Sequence, residues 1–388
     1  MRNRTGSLVV VGATVVDPAT GTSRRLDVAF GNGRTSALAQ DLPLEGYERV
    51  LEVDEDVLVV PGLIDIHGHF YHHAHPGGVD PDRACLPFGV TAAVDAGSCG
   101  WATLDGFRQF VVPAARTKLY ALVNLSSIGT LPIAASGVGE LKDEGLIQLE
   151  ETEHCLLANK DRVLGLKIRL AEDCIRDGAA ERVLEQALDL AGSVGQVLMV
   201  HVSHSPVPVP EILRRLRPGD ILTHVYNGTR NNLATLPATA VDDYLAAQER
   251  GVLLDVAHAG KHFDRDVARS AIAAGLVPDT ISTDMHYPRP GFRAPSLIDV
   301  ANELIELGLG VDDALAAMTE RPGRVLRRLL PDAGTLRPGS PGDAALLRIS
   351  PGADGAAAIR VLGTVLDGEL LTGVLPYAAP HRLPDGAS

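Results

Sequence analysis

The sequence predicts a (β/α)8 TIM barrel with a small flanking β-sandwich domain built from both chain ends. Three observations predict it. Eight short apolar runs lie between residues 62 and 284, most of them separated by stretches that hold a helix. Most of these runs are apolar on both faces, as strands buried in a parallel sheet must be. The two ends of the chain instead carry short strands punctuated by turns. Strand alternating with helix over such a length is the pattern of a closed parallel barrel.

The elements follow in order. Residues 1–58 form the first part of the small β domain. Runs 8–11 and 13–16 flank a glycine, and Asp17-Pro18 stops the second; run 26–30 enters Gly31-Asn32-Gly33, a hairpin signal. Residues 59–330 form the barrel. Its strands are expected at 62–67, 90–95, 119–124, 164–169, 197–202, 221–225, 252–257 and 280–284. Helical spacing appears between or after them: Leu184, Ala187, Leu188 and Ala191, then Leu297, Val300, Ala301 and Leu304. Residues 331–388 return to the small domain, with a turn cluster at 338–343, strands at 344–349 and 359–362, and a loose tail from Pro380.

Composition narrows the partners. The chain has 388 residues, 45% of them apolar and only 4% aromatic, so its core is built from aliphatic side chains. A net charge of −14 without a basic run argues against nucleic acid and anionic membrane as partners. Cys85, Cys99, Cys155 and Cys174 show neither C-x-x-C nor zinc-finger spacing, which suits reduced thiols in the cytoplasm. The N-terminal apolar run is too short for a signal sequence, and no stretch approaches the ~18–20 apolar residues of a membrane span. The expected partner is a small-molecule substrate; a homo-oligomer is compatible with all of this.

The chemistry-bearing residues sit at strand ends, where barrels of this kind gather their sites. His67 and His69 close the first run, Pro-Gly-Leu-Ile-Asp-Ile-His-Gly-His, and alternation puts both on one side of it. Imidazole nitrogen suits zinc and similar ions. Lys167 lies inside an otherwise apolar strand, where desolvation favours its neutral amine. A neutral amine can react with CO2, and the resulting carbamate offers two oxygens to two cations. The alternative is a structural ion pair. His201 and His224 end the next two runs, and His204 is the weaker choice beside His201. Asp284 ends the last run and can both bind an ion and accept a proton from attacking water. His72, His73 and His75 read as loop residues, solvated or facing substrate. Arg169 either anchors a substrate carboxylate or balances charge. Tyr226, Asn227 and Arg230 are expected to orient substrate; His258 and His286 are expected beside the ligands or the substrate.

Taken together, Pro61–His69, Lys167, His201, His224 and Asp284 resemble the amidohydrolase superfamily. Ala317–Arg324 looks like a helix turn many members carry, and Gly334–Leu347 looks like their C-terminal β segment. Within that superfamily the chain is most similar to deacetylase-type metallohydrolases, through Val94–Ser98, Gly165–Arg169 and Leu222–Gly228. The resemblance implies a binuclear site, most simply two zinc ions, with a carboxylated lysine. By it, His67 and His69 bind the more buried ion, Lys167 bridges, His201 and His224 bind the second, and Asp284 supplies the carboxylate. Dihydroorotases carry an arginine where this chain has Tyr71, and adenosine-deaminase-type members a glutamate where it has His204. The His-rich 71–75 loop matches neither subgroup.

The expected activity is metal-dependent hydrolysis of an amide or ester in a small acylated molecule. Two ions sharing a hydroxide lower the pKa of bound water from about 15.7 to about 7. Arg169, Arg230 and Arg293 suggest a carboxylate on the substrate. The same donors also support ring closure by condensation, or decarboxylation.

Overall fold

The computed structural model describes residues 7–134, 138–237, 239–286, 295–352 and 355–371. Arg293 and the tail from Pro380 lie outside them. The chain divides into two compact units. One is Met1–Asp65 with Asp82–Ala93 and Ser296–Pro376, and the other is Ile66–Pro81 with Val94–Pro295 and Tyr377–Ser388.

In the first unit, both chain ends build two sheets. A four-stranded sheet runs Arg34–Ala39, Asp27–Gly31, Leu8–Val11, Arg49–Glu52; a six-stranded one runs Glu369–Leu370, Ala357–Leu366, Ala344–Pro351, Val57–Pro61, Thr14–Asp17, Thr22–Arg25. One core joins them, with Val10, Val28 and Phe30 from the first sheet and Val15, Val59 and Leu346 from the second. The hairpin expected at Gly31-Asn32-Gly33 is present: Asn32 and Gly33 both have positive φ, 53° and 74°, as a two-residue turn between twisted strands requires. Buried Asp17 ties the ends together, its Oδ2 accepting from Thr335 Oγ1 at 2.8 Å and Leu336 N at 2.9 Å. Helix Leu297–Glu306 starts at a Ser296–Asp299 capping box and buries Leu297, Val300, Ala301 and Leu304, the face its spacing predicts.

The barrel sheet contains β1 (Leu63–Gly68), β2 (Val90–Gly100), β3 (Lys118–Asn124), β4 (Val163–Arg169), β5 (Val197–His201), β6 (Ile221–Thr223) and β7 (Leu253–Asp255), side by side in chain order. β1 and β2 begin in the first unit and end in the second. β3 through β7 pair in parallel. The eighth expected strand is present only as a pair of bridges. Thr280 pairs with Asp255 and Met285 with Gly68, both in parallel, so residues 280–285 span from β7 to β1 and close the ring. The backbone N–H of Asp284 donates to His67 O at 2.7 Å, and that of His69 to Met285 O at 2.8 Å. A φ of 48° at Asp284 breaks the extended path there, which is why this segment is not a regular strand. In the second unit, helix Ala180–Ser193 lays Val183, Leu184, Ala187, Leu190 and Ala191 on β4 and β5.

Candidate active site

Every residue of the site belongs to the second unit. β4 is buried along its whole length, and alternation puts Gly165, Lys167 and Arg169 on one face. Gly97 makes room for the lysine: a Cβ there would lie 3.0 Å from Lys167 Cγ, and its φ is +88°. Lys167 is 1% exposed. Its Nζ ends 3.2 Å from His67 Nε2 and 3.2 Å from Met199 Sδ. Burial pulls its pKa down to about 7, so near neutral pH much of it is free amine.

His67 and His69 are each backed by a hydroxyl and a carboxylate. Thr223 Oγ1 donates to Asp255 Oδ2 at 2.7 Å and sits 2.9 Å from His67 Nδ1, so it accepts from that nitrogen. Ser98 repeats the arrangement, its hydroxyl bonded to Asp95 and lying 2.8 Å from His69 Nδ1. Both chains place the ring proton on Nδ1 and turn the Nε2 lone pair inward. Asp255 also accepts from Thr280 Oγ1 at 2.8 Å and Ser282 Oγ at 2.7 Å.

Asp284 faces the inward lone pairs. Its Oδ1 is 3.1 Å from His69 Nε2 and 3.6 Å from His67 Nε2. Burial pushes its carboxyl up, while positive charge on the facing His67, His69 and His286 pulls it well below the usual carboxylate range, a pull that a cation among neutral rings would supply. Asp284 and His224, with φ 48° and 69°, occupy the left-handed region, at a cost of about 1–3 kcal/mol each. The turns aim their side chains inward.

His201 and His224 meet at a ring-centroid distance of 4.3 Å. A third imidazole, His262, joins them at 5.0 Å and 4.4 Å. His224 Nδ1 donates to Ala257 O at 2.7 Å, which leaves its Nε2 as a lone pair. That atom, His201 Nε2 and His262 Nδ1 are buried without a hydrogen-bond partner. Burial lowers the basicity of His67, His201 and His224 well below the usual imidazole value, and that of His262 to about 3, so all four rings are neutral.

The structure thus brings together all six strand-end residues read from the sequence, and adds His262, Asp255, Thr223, Ser98 and Asp95. Of the other expected residues, His286 lies beside Asp284 as expected, and several are placed differently. Arg169 is buried and paired with Glu140, which also accepts from Asn124 Nδ2 at 3.2 Å, so its role is charge balance. Tyr226 is fully buried and donates to Leu276 O at 2.7 Å. Asn227 bonds Val202 O and Thr229 N, and Arg230 pairs with Glu172. Tyr226 and Asn227 brace the loops, because their polar atoms are spent on neighbouring chain, while Arg230 stays half-exposed. His258 stacks on Phe263 at 4.3 Å, while His286 Nδ1 lies 2.6 Å from Asp284 O. His72 and His73 stack on each other at 3.7 Å, and His204 is exposed. His75 is not a solvated loop residue. It is buried, lies 5.4 Å from the His69 ring in a stacked arrangement, and bonds Thr130 Oγ1 at 2.8 Å.

Two groups offer converging donor atoms to a cation: His67, His224 and Asp284, and His201, His224 and His262. The residues fit such an ion. An imidazole lone pair faces a carboxylate oxygen 3.1 Å away at His69 and Asp284, an arrangement of two acceptors that a shared cation resolves. The buried, unpartnered imidazole nitrogens make the same demand.

No family model matches the chain. It is similar to a deacetylase of Agrobacterium fabrum, 31% identical over 301 residues, covering 76% of this chain and 72% of the relative. A deacetylase of Brucella anthropi is 30% identical over 269 residues, 69% of this chain and 66% of the relative, so the chain spans just under two thirds of the latter's length. Among solved structures, one described as a dihydroorotase superposes with a TM-score of 0.83 at 26% identity, covering 96% of this chain and 100% of that one.

Proposed function

From the chain's place in the amidohydrolase superfamily, whose members here are enzymes acting on C–N bonds, we propose that it removes an acyl group from a small acylated molecule. The observation that carries this reading is the convergence of His67, His69, Lys167, His201, His224 and Asp284 on one buried centre. In it, His67 and His69 would hold one divalent ion, His201 and His224 would hold a second, and Lys167 would contribute as its CO2-derived carbamate. Zinc suits this nitrogen and carboxylate donor set. The bound ions supply Lewis acidity, which makes water nucleophilic at neutral pH and polarises the acyl carbonyl.

The chain's own residues do the rest. Asp284 turns a carboxylate oxygen toward the inward nitrogens of His67 and His69, so it accepts a proton from water at Oδ1 and returns it to the leaving nitrogen or oxygen. Thr223 and Ser98 hold the two strand-end imidazoles in one tautomer, which keeps their inward nitrogens as lone pairs. Burial of Lys167 supplies the free amine that carbamate formation needs. Arg169 is buried against Glu140, so a substrate carboxylate finds no ready partner there, whereas Arg230 is half-exposed beside Glu172.

The test is a panel of N-acyl and O-acyl small molecules, lactones and cyclic amides offered to metal-loaded protein in 18O-labelled water. Hydrolysis incorporates one solvent oxygen into the acid product. Turnover without label incorporation, as in decarboxylation, overturns the reading.

A further inference from the structure

We propose that His262 is the third imidazole donor of the cation site formed with His201 and His224. The inference rests on the reading of this centre as a metal centre and extends it to a residue outside the strand-end set.

The geometry is that of a pocket for one ion. The three rings are mutually tilted, at 76°, 84° and 47°, so their edges can converge instead of stacking face to face. One nitrogen of each, His201 Nε2, His224 Nε2 and His262 Nδ1, is buried without a hydrogen-bond partner. Candidate ligand atoms of all three lie within 4.8 Å of one another. Leaving three such atoms buried and unmatched is unfavourable, so the cluster calls for an occupant. A water molecule is a poor one, because it has two protons to offer and three acceptors to serve. A cation receives all three lone pairs at once. Three imidazoles beside the Lys167 carbamate make a nitrogen-rich donor set, which favours a zinc-type first-row ion over magnesium or calcium.

The fold also holds His262 in place. The 258–263 loop is knotted by its own bonds: Gly260 N donates to His258 Nδ1 at 3.0 Å, and His262 N to His258 O at 3.2 Å. Phe263 is held between the His258 ring, 4.3 Å away, and Tyr226, 6.2 Å away. Asp264 then caps helix Arg265–Ala273 and donates its N–H to Tyr226 O at 2.9 Å. Tyr226 therefore acts on the site by bracing the loop that carries His262.

The experiment is a Co2+ titration of metal-free full-length protein, read by visible absorption and by bound-metal analysis, for wild type, His262→Gln and His262→Cys. Wild type takes two equivalents. His262→Gln keeps the first and binds the second on the order of 100-fold more weakly, at least the scale lost when only a ligand's outer partner is removed. His262→Cys recovers the second equivalent and gains a thiolate-to-cobalt charge-transfer band, which reports coordination by residue 262 itself. Two equivalents bound with wild-type affinity by His262→Gln, together with no such band in His262→Cys, overturn the role of His262 alone. A wild-type chain that takes up no cobalt overturns the metal reading beneath it.

Discussion

His69 Nε2 stands 3.1 Å from Asp284 Oδ1, with the other ring nitrogen of His69 2.8 Å from the Ser98 hydroxyl. One oxygen of Asp284 therefore faces the donors of the centre. Asp284→Asn keeps the size and removes the proton acceptor. Turnover should fall about 10²–10⁴-fold, the range for a lost general base, while bound metal stays close to wild type. Steady-state kinetics and metal analysis on the same preparation check this, and wild-type turnover in Asp284→Asn would rule the acceptor role out.

Lys167 Nζ lies 3.2 Å from His67 Nε2 in a fully buried setting, and burial brings its pKa down to about 7. An amine with that pKa is available to CO2 at neutral pH. In 13C-bicarbonate the metal-loaded protein should show one slow-exchanging carbamate resonance that is missing from Lys167→Gln. A wild-type spectrum without that resonance contradicts the carbamate.

Thr223 carries the link from Asp255 to His67, at 2.7 Å and 2.9 Å. Thr223→Val preserves the branched shape and deletes the hydroxyl. Metal affinity or activity should drop about 10–100-fold, as for other partners of ligating histidines. Circular dichroism should show an unchanged fold; unchanged metal binding and activity would mean the hydroxyl does not orient the ring.

The sequence made the scaffold of the site legible because its strands are apolar runs with a polar residue at the end. His67, Lys167, His201, His224 and Asp284 each break such a run, and burying a polar group there needs a reason. His262 was not legible, because its loop has no periodicity and its position comes from bonds to His258 and packing of Phe263. Tyr226, Asn227 and Arg230 looked available because they follow a strand end. Whether a loop side chain faces the centre or a backbone carbonyl depends on backbone turns such as the positive φ at His224, which spacing does not encode. Thr223 is an ordinary strand residue until the neighbouring strand brings Asp255 beside it, and Ser98 is one until its own strand turns it back onto Asp95, three residues earlier.

His75 sets a pH dependence of stability. Its Nδ1 accepts from Gly77 N at 3.0 Å and its Nε2 lies 2.8 Å from Thr130 Oγ1, so the ring is neutral, and burial lowers its pKa to about 3. The unfolded chain takes up this proton below about 6.5, and the folded chain only near 3. Stability is therefore complete above pH 6.5 and lost progressively as pH falls toward 3. At pH 5 the loss from this residue is on the order of 2 kcal/mol. Urea unfolding of metal-free wild type and His75→Gln at pH 7.5 and pH 5 isolates it. The variant should lose less stability between the two, and equal losses would remove His75 as the cause.

Metal content and turnover measured together on one sample test the central claim most directly. Protein stripped with chelator should be silent on its acyl substrate and should regain activity in proportion to zinc restored, levelling off at two ions per chain. Full turnover by protein proven free of metal would contradict the account.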